Sequence, residues 1–239
     1  AYYRANITAP NDENAIAPGS SFANLPGFSL GMANVIFGYE GEPAAAWKAS
    51  VVKDYFYQSR PDVQSFSNGD KFDLGGVSIE IIHTPGHTRG HSCLLIDWEN
   101  NDERLCVLGD IDLTSFGPYY GDGWSSLVDF EQSLELLKSV EAHWWLTFHH
   151  KGLIEGRREF LTMLEKYRKM IDSRESRLLA YLSEPRSLDQ IVEHQFIYRP
   201  GTGGVMVDQI ERRSMRMHLE RLLQSQEVLV DAAHRWQAR

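Results

Sequence analysis

Three short stretches of this chain carry histidine and aspartate in settings suited to holding metal ions. Residues 84–92 read T-P-G-H-T-R-G-H-S, with His87 and His91 four apart in a run that proline and glycine keep from being helical. Asp110 lies in L-G-D-I-D, and His149 and His150 follow directly on W-W-L-T-F. Imidazole nitrogen and carboxylate oxygen are the donors that borderline divalent metals such as zinc take, and a catalytic site leaves one position open for water. His87, Asp110 and His149 each stand just past an apolar, strand-like run, where side chains can converge on one edge of a sheet. Taken singly, each residue also has a plainer reading. Asp110 can serve as a turn residue after glycine, His149 and His150 as surface or interface residues, and His91 as a hydrogen-bonding prop for the loop that carries His87. His83, His143, His194, His218 and His234 have no ligand-like neighbours and are read as structural.

The elements that must position these residues show in the periodicity. V-S-I-E-I-I, residues 77–82, alternates and then turns apolar before T-P-G, which predicts a strand. S-C-L-L-I-D-W, the polar turn N-N-D-E and R-L-C-V-L-G-D predict a β-hairpin running into an acidic loop. Residues 129–140 place Phe130, Leu134, Leu137 and Val140 at helical spacing, with Asp129 near the N-terminus where a carboxylate suits the helix dipole. W-W-L-T-F, residues 144–148, predicts a short buried strand, and a long helix runs from about 157 to 182 before Pro185. Beyond it, Ser187 with Gln190 three later fits a capping box. The glycine-rich R-P-G-T-G-G, a helix over about 208–226 and the short strand E-V-L-V-D follow. Residues 1–50, rich in Gly, Pro, Ala and Asn, read as loop-rich substructure. The expected organisation is a domain over 1–165 and a second over 175–239, joined by the helix at about 157–182.

A chain of 239 residues with 42% hydrophobic content can bury a substantial core. Its two cysteines, Cys93 and Cys106, lie in apolar runs and read as small buried hydrophobes. No apolar run approaches the ~20 residues that span a bilayer, and the start lacks a hydrophobic signal core, so a cytoplasmic location is expected. Net charge is −9 and unevenly spread. Residues 157–239 hold 15 Lys and Arg against 12 Asp and Glu, leaving residues 1–156 with 9 against 21. That acidic front half argues against nucleic acid as a partner.

T-P-G-H-T-R-G-H-S, then L-G-D about 20 residues on, then a histidine after a hydrophobic strand about 40 further, resembles the second half of the metallo-β-lactamase superfamily. The resemblance implies an α/β fold, a four-layered αββα sandwich, with a dinuclear centre of zinc, iron or manganese along one edge of its sheets. Carried over by position, His87 matches the third histidine of the first metal site. Asp110 matches the carboxylate that bridges both metals, and His149 the last histidine of the second site, with His150 as the alternative ligand. The family's His-x-His-x-Asp-His stretch has no counterpart, since the first histidine of the chain is His83. Two protein ligands per metal are too few for a tight site. The chain, which begins without methionine, is therefore expected to be a C-terminal portion of a longer protein, with a degenerate, non-catalytic member as the other explanation. Its tail, M-R-M-H-L-E-R-L-L-Q-S-Q-E-V-L-V-D and H-R-W-Q-A, resembles the small winged-helix-like domain that follows the sandwich in some members. The plainer reading is a helix that packs on the first domain through Leu219, Leu222 and Leu223.

The resemblance implies hydrolysis of an ester, thioester or similar small acyl substrate by metal-activated hydroxide, with Asp110 anchoring and orienting, and an inactive chain when taken alone. An RNA-cleaving nuclease of the same superfamily is the second reading, and a non-catalytic binding or regulatory module the third. The loop S-F-G-P-Y-Y-G-D-G-W, residues 115–124, is dense in aromatics. Phe116, Tyr119, Tyr120 and Trp124 either line the substrate entrance or pack under the helix that starts near Leu127. The expected partners are a small-molecule substrate, the missing N-terminal segment and a second copy in a homodimer; no membrane is expected.

Overall fold

In the computed structural model, residues 64–239 are described. Six strands lie side by side in chain order: β1 (Lys71–Asp73), β2 (Val77–His83), β3 (Ser92–Trp98), β4 (Asn101–Gly109), β5 (Trp144–Thr147) and β6 (Leu153–Glu155). All neighbours are antiparallel except β4 and β5. A parallel pair needs a crossover, and residues 110–143, with helix α1 (Leu127–Leu137), supply it. The crossover and the β2–β3 connection carry Asp110 and His87, and His149 stands just beyond β5, so the topology gathers all three at one edge.

Strand register explains the core. Leu95, Cys106, Trp145 and Ile154 are partners across four strands and all are buried. Two helices cover this face: α1 with Phe130, Leu134 and Leu137, and α2 (Arg157–Tyr181) with Phe160, Leu164, Tyr167 and Ile171. Trp145 stacks on Phe160 with ring centroids 3.4 Å apart. The other face carries Ile81, Leu94, Val107, Leu146 and Leu153 in register. A sheet apolar on both faces is suited to burial on both. The described residues thus supply one sheet and one helical layer of the expected sandwich; residues 1–50, read as loop-rich, lie outside them.

Helix α1 starts at Ser126, whose hydroxyl accepts the Asp129 N–H at 3.2 Å. It ends three residues before the periodicity does. The N–H groups of Lys138, Ser139 and Val140 each donate to the carbonyl three residues back, a tightened turn that still leaves Val140 in the core.

The long α2 belongs to two cores. Its first half packs on the sheet, and Leu178 with the following Leu182 joins Ile191, Phe196, Met215, Leu219, Leu222 and Val228. These come from α3 (Leu188–His194) and the loop after it, α4 (Val205–Gln224) and an antiparallel hairpin, β7 (Val228–Val230) with β8 (Trp236–Ala238). Both halves of the Ser187–Gln190 capping box are formed. Leu219 and Leu222 serve this second core, whereas Leu223 is 44% exposed and corrects the expectation that it would be core. Among the described residues no helix is long and apolar enough to cross a membrane.

Candidate metal centre

Asp110 begins where β4 ends, at Gly109 with φ 59°. A Cβ at Gly109 would meet the Nε2 of His91, so this position needs glycine. His91 is buried. Its Nδ1–H donates to the Thr84 carbonyl at 2.9 Å, and its Nε2 accepts the Asp110 N–H at 3.1 Å. Burial pulls its pKa down to about 4, with His87 adding to the effect, so the ring is neutral and the acceptor at Nε2 persists at neutral pH. His91 therefore ties the loop that carries His87 to the turn that carries Asp110.

The His87 loop is held from α1. Gly86, at φ 132°, sits against the Phe130 backbone too closely for any Cβ. The Ser133 hydroxyl donates to the Pro85 carbonyl at 2.7 Å, the Ser126 N–H to Gly86 at 2.9 Å, and the Ser125 hydroxyl to His87 at 2.7 Å. His87 Nδ1–H donates to the Tyr119 carbonyl at 3.0 Å, which turns Nε2 toward Asp110. On the third side, the Phe148 N–H donates to the Gly109 carbonyl at 3.2 Å and the Thr147 hydroxyl to the His149 carbonyl at 3.0 Å.

Asp110 consequently faces one imidazole with each oxygen. His87 Nε2 is 3.6 Å from Oδ2, and His149 Nε2 is 3.2 Å from Oδ1. With Nδ1 donating to a carbonyl, Nε2 is the His87 nitrogen turned toward the carboxylate, whose oxygens only accept. A positive centre between them, a divalent cation or a proton on Nε2, would be held from both sides. Two donors each ~2.1 Å from a tetrahedral metal stand ~3.4 Å apart, which the two observed separations bracket. The donor chemistry therefore fits a carboxylate shared by two cations, with His87 on one side and His149 on the other. It fits only in part: among the described residues no group of three His, Cys, Asp or Glu side chains converges on one metal position. His150, at φ 61°, has its ring 6.1 Å from that of His149; His149 is the one that reaches Asp110. Beside Asp110 lies a cavity of about 370 Å³ walled by Phe66, Leu94, Val107 and Phe148.

The structure divides the four aromatic residues. Tyr120 is 1% exposed and Trp124 8%, so both are core residues and neither can line an entrance as the first of the two readings had it. The physical reason is α4: Ile210 fills the space beside Gly121 so closely that no Cβ fits there, and the Tyr120 hydroxyl meets His218 Nε2 at 2.9 Å. Tyr119 stays beside the centre, its ring 5.5 Å from His87 and its hydroxyl donating to Asp122 at 3.1 Å. Burial pushes the Tyr119 phenol and the Asp122 carboxyl up. Phe116 is partly exposed and packs 5.5 Å from Tyr198 of the C-terminal unit.

His218, read from the sequence as structural, sits in a buried network, and Arg174 carries a role that the sequence reading did not single out. His218 lies fully buried between Tyr120 and Glu175, 2.9 Å from each. The signal was its place on the α4 stripe Met215, His218, Leu219, Leu222, at helical spacing and otherwise apolar. Arg174 interrupts the stripe of α2 in the same way.

No family model matches the chain. An uncharacterized protein of Mycobacterium tuberculosis is 42% identical over 57 residues, which are 23% of this chain and 25% of that protein. An atrochrysone carboxyl ACP thioesterase of Passalora fulva is 26% identical over 91 residues, 37% of this chain and 25% of that enzyme. The matched stretches span about a quarter of the length of these relatives. Among solved structures, a metallo-β-lactamase family protein of Thermus thermophilus aligns with a TM-score of 0.60 at 21% identity, covering 89% of this chain and 69% of that one. A β-lactamase domain protein of Burkholderia ambifaria gives 0.56 at 18% identity, covering 75% and 53%. These two likenesses establish the fold.

Proposed function

We propose that this chain, which has the metallo-β-lactamase fold, is part of a metal-dependent hydrolase acting on an ester, thioester or similar acyl substrate. The observation that carries this reading is the Asp110 carboxylate set between two imidazole nitrogens at metal-bridging separations. His87 and Asp110 would hold one divalent ion, Asp110 and His149 the other. Bound there, such ions supply a Lewis acid for the substrate oxygen and a water of lowered pKa.

The chain's own residues do the positioning. Asp110 anchors both sides, His91 holds the Asp110 backbone, and the Tyr119 carbonyl fixes which His87 nitrogen faces the centre. Support for an acyl substrate comes from the acyl-carrier thioesterase among the relatives. The described residues supply too few donors to hold either ion tightly, so catalysis requires ligands from outside residues 64–239.

Elemental analysis tests the reading. The full-length protein should carry about two divalent ions per chain, and residues 1–239 alone well under one. Asp110→Asn in the full-length protein should lose both ions together and abolish hydrolysis of acyl thioesters. A stoichiometric metal in residues 1–239, or an Asp110→Asn protein that keeps its metal, overturns it.

A further inference from the structure

We propose that Arg174, on the long helix behind the site, is a positioning residue for the His87 imidazole. It acts through the main chain of residues 116–119. The buried residues of α2 follow helical spacing, Phe160, Leu164, Tyr167, Ile171, Arg174 and Leu178, and the single charged member is 1% exposed. An apolar residue at this position would avoid the cost of burying a charge. What the guanidinium does instead is specific. Its Nη2 donates to the Phe116 carbonyl and its Nη1 to the Pro118 carbonyl, each at 2.6 Å. It also lies 5.5 Å from the Phe116 ring centroid and 5.2 Å from that of Tyr120.

Those contacts set the path of one short segment. With the carbonyls of residues 116 and 118 turned toward α2, the carbonyl of Tyr119 is the one that meets His87 Nδ1. Gly117, at φ 83°, lets the chain lie against Met170 on α2, where no Cβ would fit. On the far side His218 holds the Tyr120 hydroxyl. The segment is therefore clamped before, at and after the residue whose carbonyl selects the His87 tautomer. Arg174 touches no ligand itself; it fixes the acceptor that leaves Nε2 of His87 free for Asp110.

The metal arm of the test rests on the reading of His87 as a ligand, and the tautomer arm does not. Nitrogen-15 NMR of the metal-free full-length protein reports which His87 nitrogen bears the proton. The wild type should show Nδ1–H. Arg174→Met should show a mixture of tautomers, and Arg174→Lys, which keeps the charge but reaches one carbonyl at a time, an intermediate state. Zinc affinity, read by chelator competition, should fall about 10- to 100-fold in Arg174→Met. A folded Arg174→Met with the wild-type His87 tautomer overturns the proposal; where that variant fails to fold, a wild-type tautomer in Arg174→Lys does so. The His87→Ala protein separates the two readings. If it binds zinc as the wild type does, His87 is no ligand, and the tautomer result still decides the role of Arg174.

Discussion

Two neighbouring residues of one loop, Tyr119 and Tyr120, face two clusters, each built around a histidine and a carboxylate. Around Tyr119 lie His87, Asp110 and His149; around Tyr120 lie His218, Glu175 and Arg221. In the second cluster both nitrogens of the histidine are used. The Tyr120 hydroxyl donates to His218 Nε2, His218 Nδ1–H donates to Glu175, and Arg221 closes the set by donating to Glu175 at 2.8 Å and Glu131 at 2.6 Å. In the first cluster, His87 spends Nδ1 on a carbonyl and keeps Nε2, which faces an Asp110 oxygen 3.6 Å away. The difference is one of exhausted against unspent donor atoms. A histidine and carboxylate pair that uses both ring nitrogens holds the fold together; one that stops short suits the cation proposed for it.

If that division is right, damage to the two clusters should be read by different measurements. The largest effect on stability is expected from His218→Ala. It removes the acceptor of a buried tyrosine hydroxyl and a donor to a carboxylate, and should cost about 2–4 kcal/mol in urea unfolding. Metal content should hold, because Arg174 still grips the loop. A variant that loses its metal in step with its stability would merge the two clusters into one and break the comparison.

The sequence carried the first cluster better than the second for a reason visible in chain separations. The strands over 77–83, 92–98 and 144–147 follow from alternation, and the T-P-G turn places His87 at a strand end without any knowledge of partners. Asp110 and His149 also stand at strand ends, which allows the three to meet at one edge; choosing them over their plainer readings rested on their order and spacing and on the family resemblance. The second cluster joins residues 98 positions apart at Tyr120 and His218 and 43 apart at His218 and Glu175, which no local pattern encodes. Only its trace was legible, as a polar residue on an otherwise apolar stripe. The aromatic loop shows the same limit. Periodicity does not reveal that Ile210, 89 positions after Gly121, closes over it and turns Tyr120 inward. The cover on the second apolar face of the sheet was expected from resemblance alone.

A smaller effect should come from charge in the second cluster. Burial raises the Glu175 carboxyl, but hydrogen bonds from His218 and Arg221 outweigh it, and the net shift is below the ordinary 4.5. With the folded value lowered, the unfolded chain takes up the proton first. The contribution to stability is therefore present above pH 4.5 and lost as pH falls through the folded value. Thermal unfolding of wild type and Glu175→Gln should differ at pH 7 and converge in acid. Curves that stay parallel would show that Glu175 acts by shape rather than charge.

The smallest effect belongs to Tyr119→Phe, and its smallness is the sharpest statement about the first cluster. The substitution deletes one hydrogen bond to Asp122, worth about 1 kcal/mol, and leaves the ring against His87. What holds the imidazole is the carbonyl of residue 119, which phenylalanine also has. Metal affinity and the His87 tautomer should therefore match wild type, even though Tyr119 is the side chain that lies nearest the imidazole along the loop. A large loss of metal in Tyr119→Phe would mean that the hydroxyl and Asp122 belong to the centre after all. The retained metal expected instead would place control of His87 in the main chain, where Arg174 acts and a side chain facing the site does not.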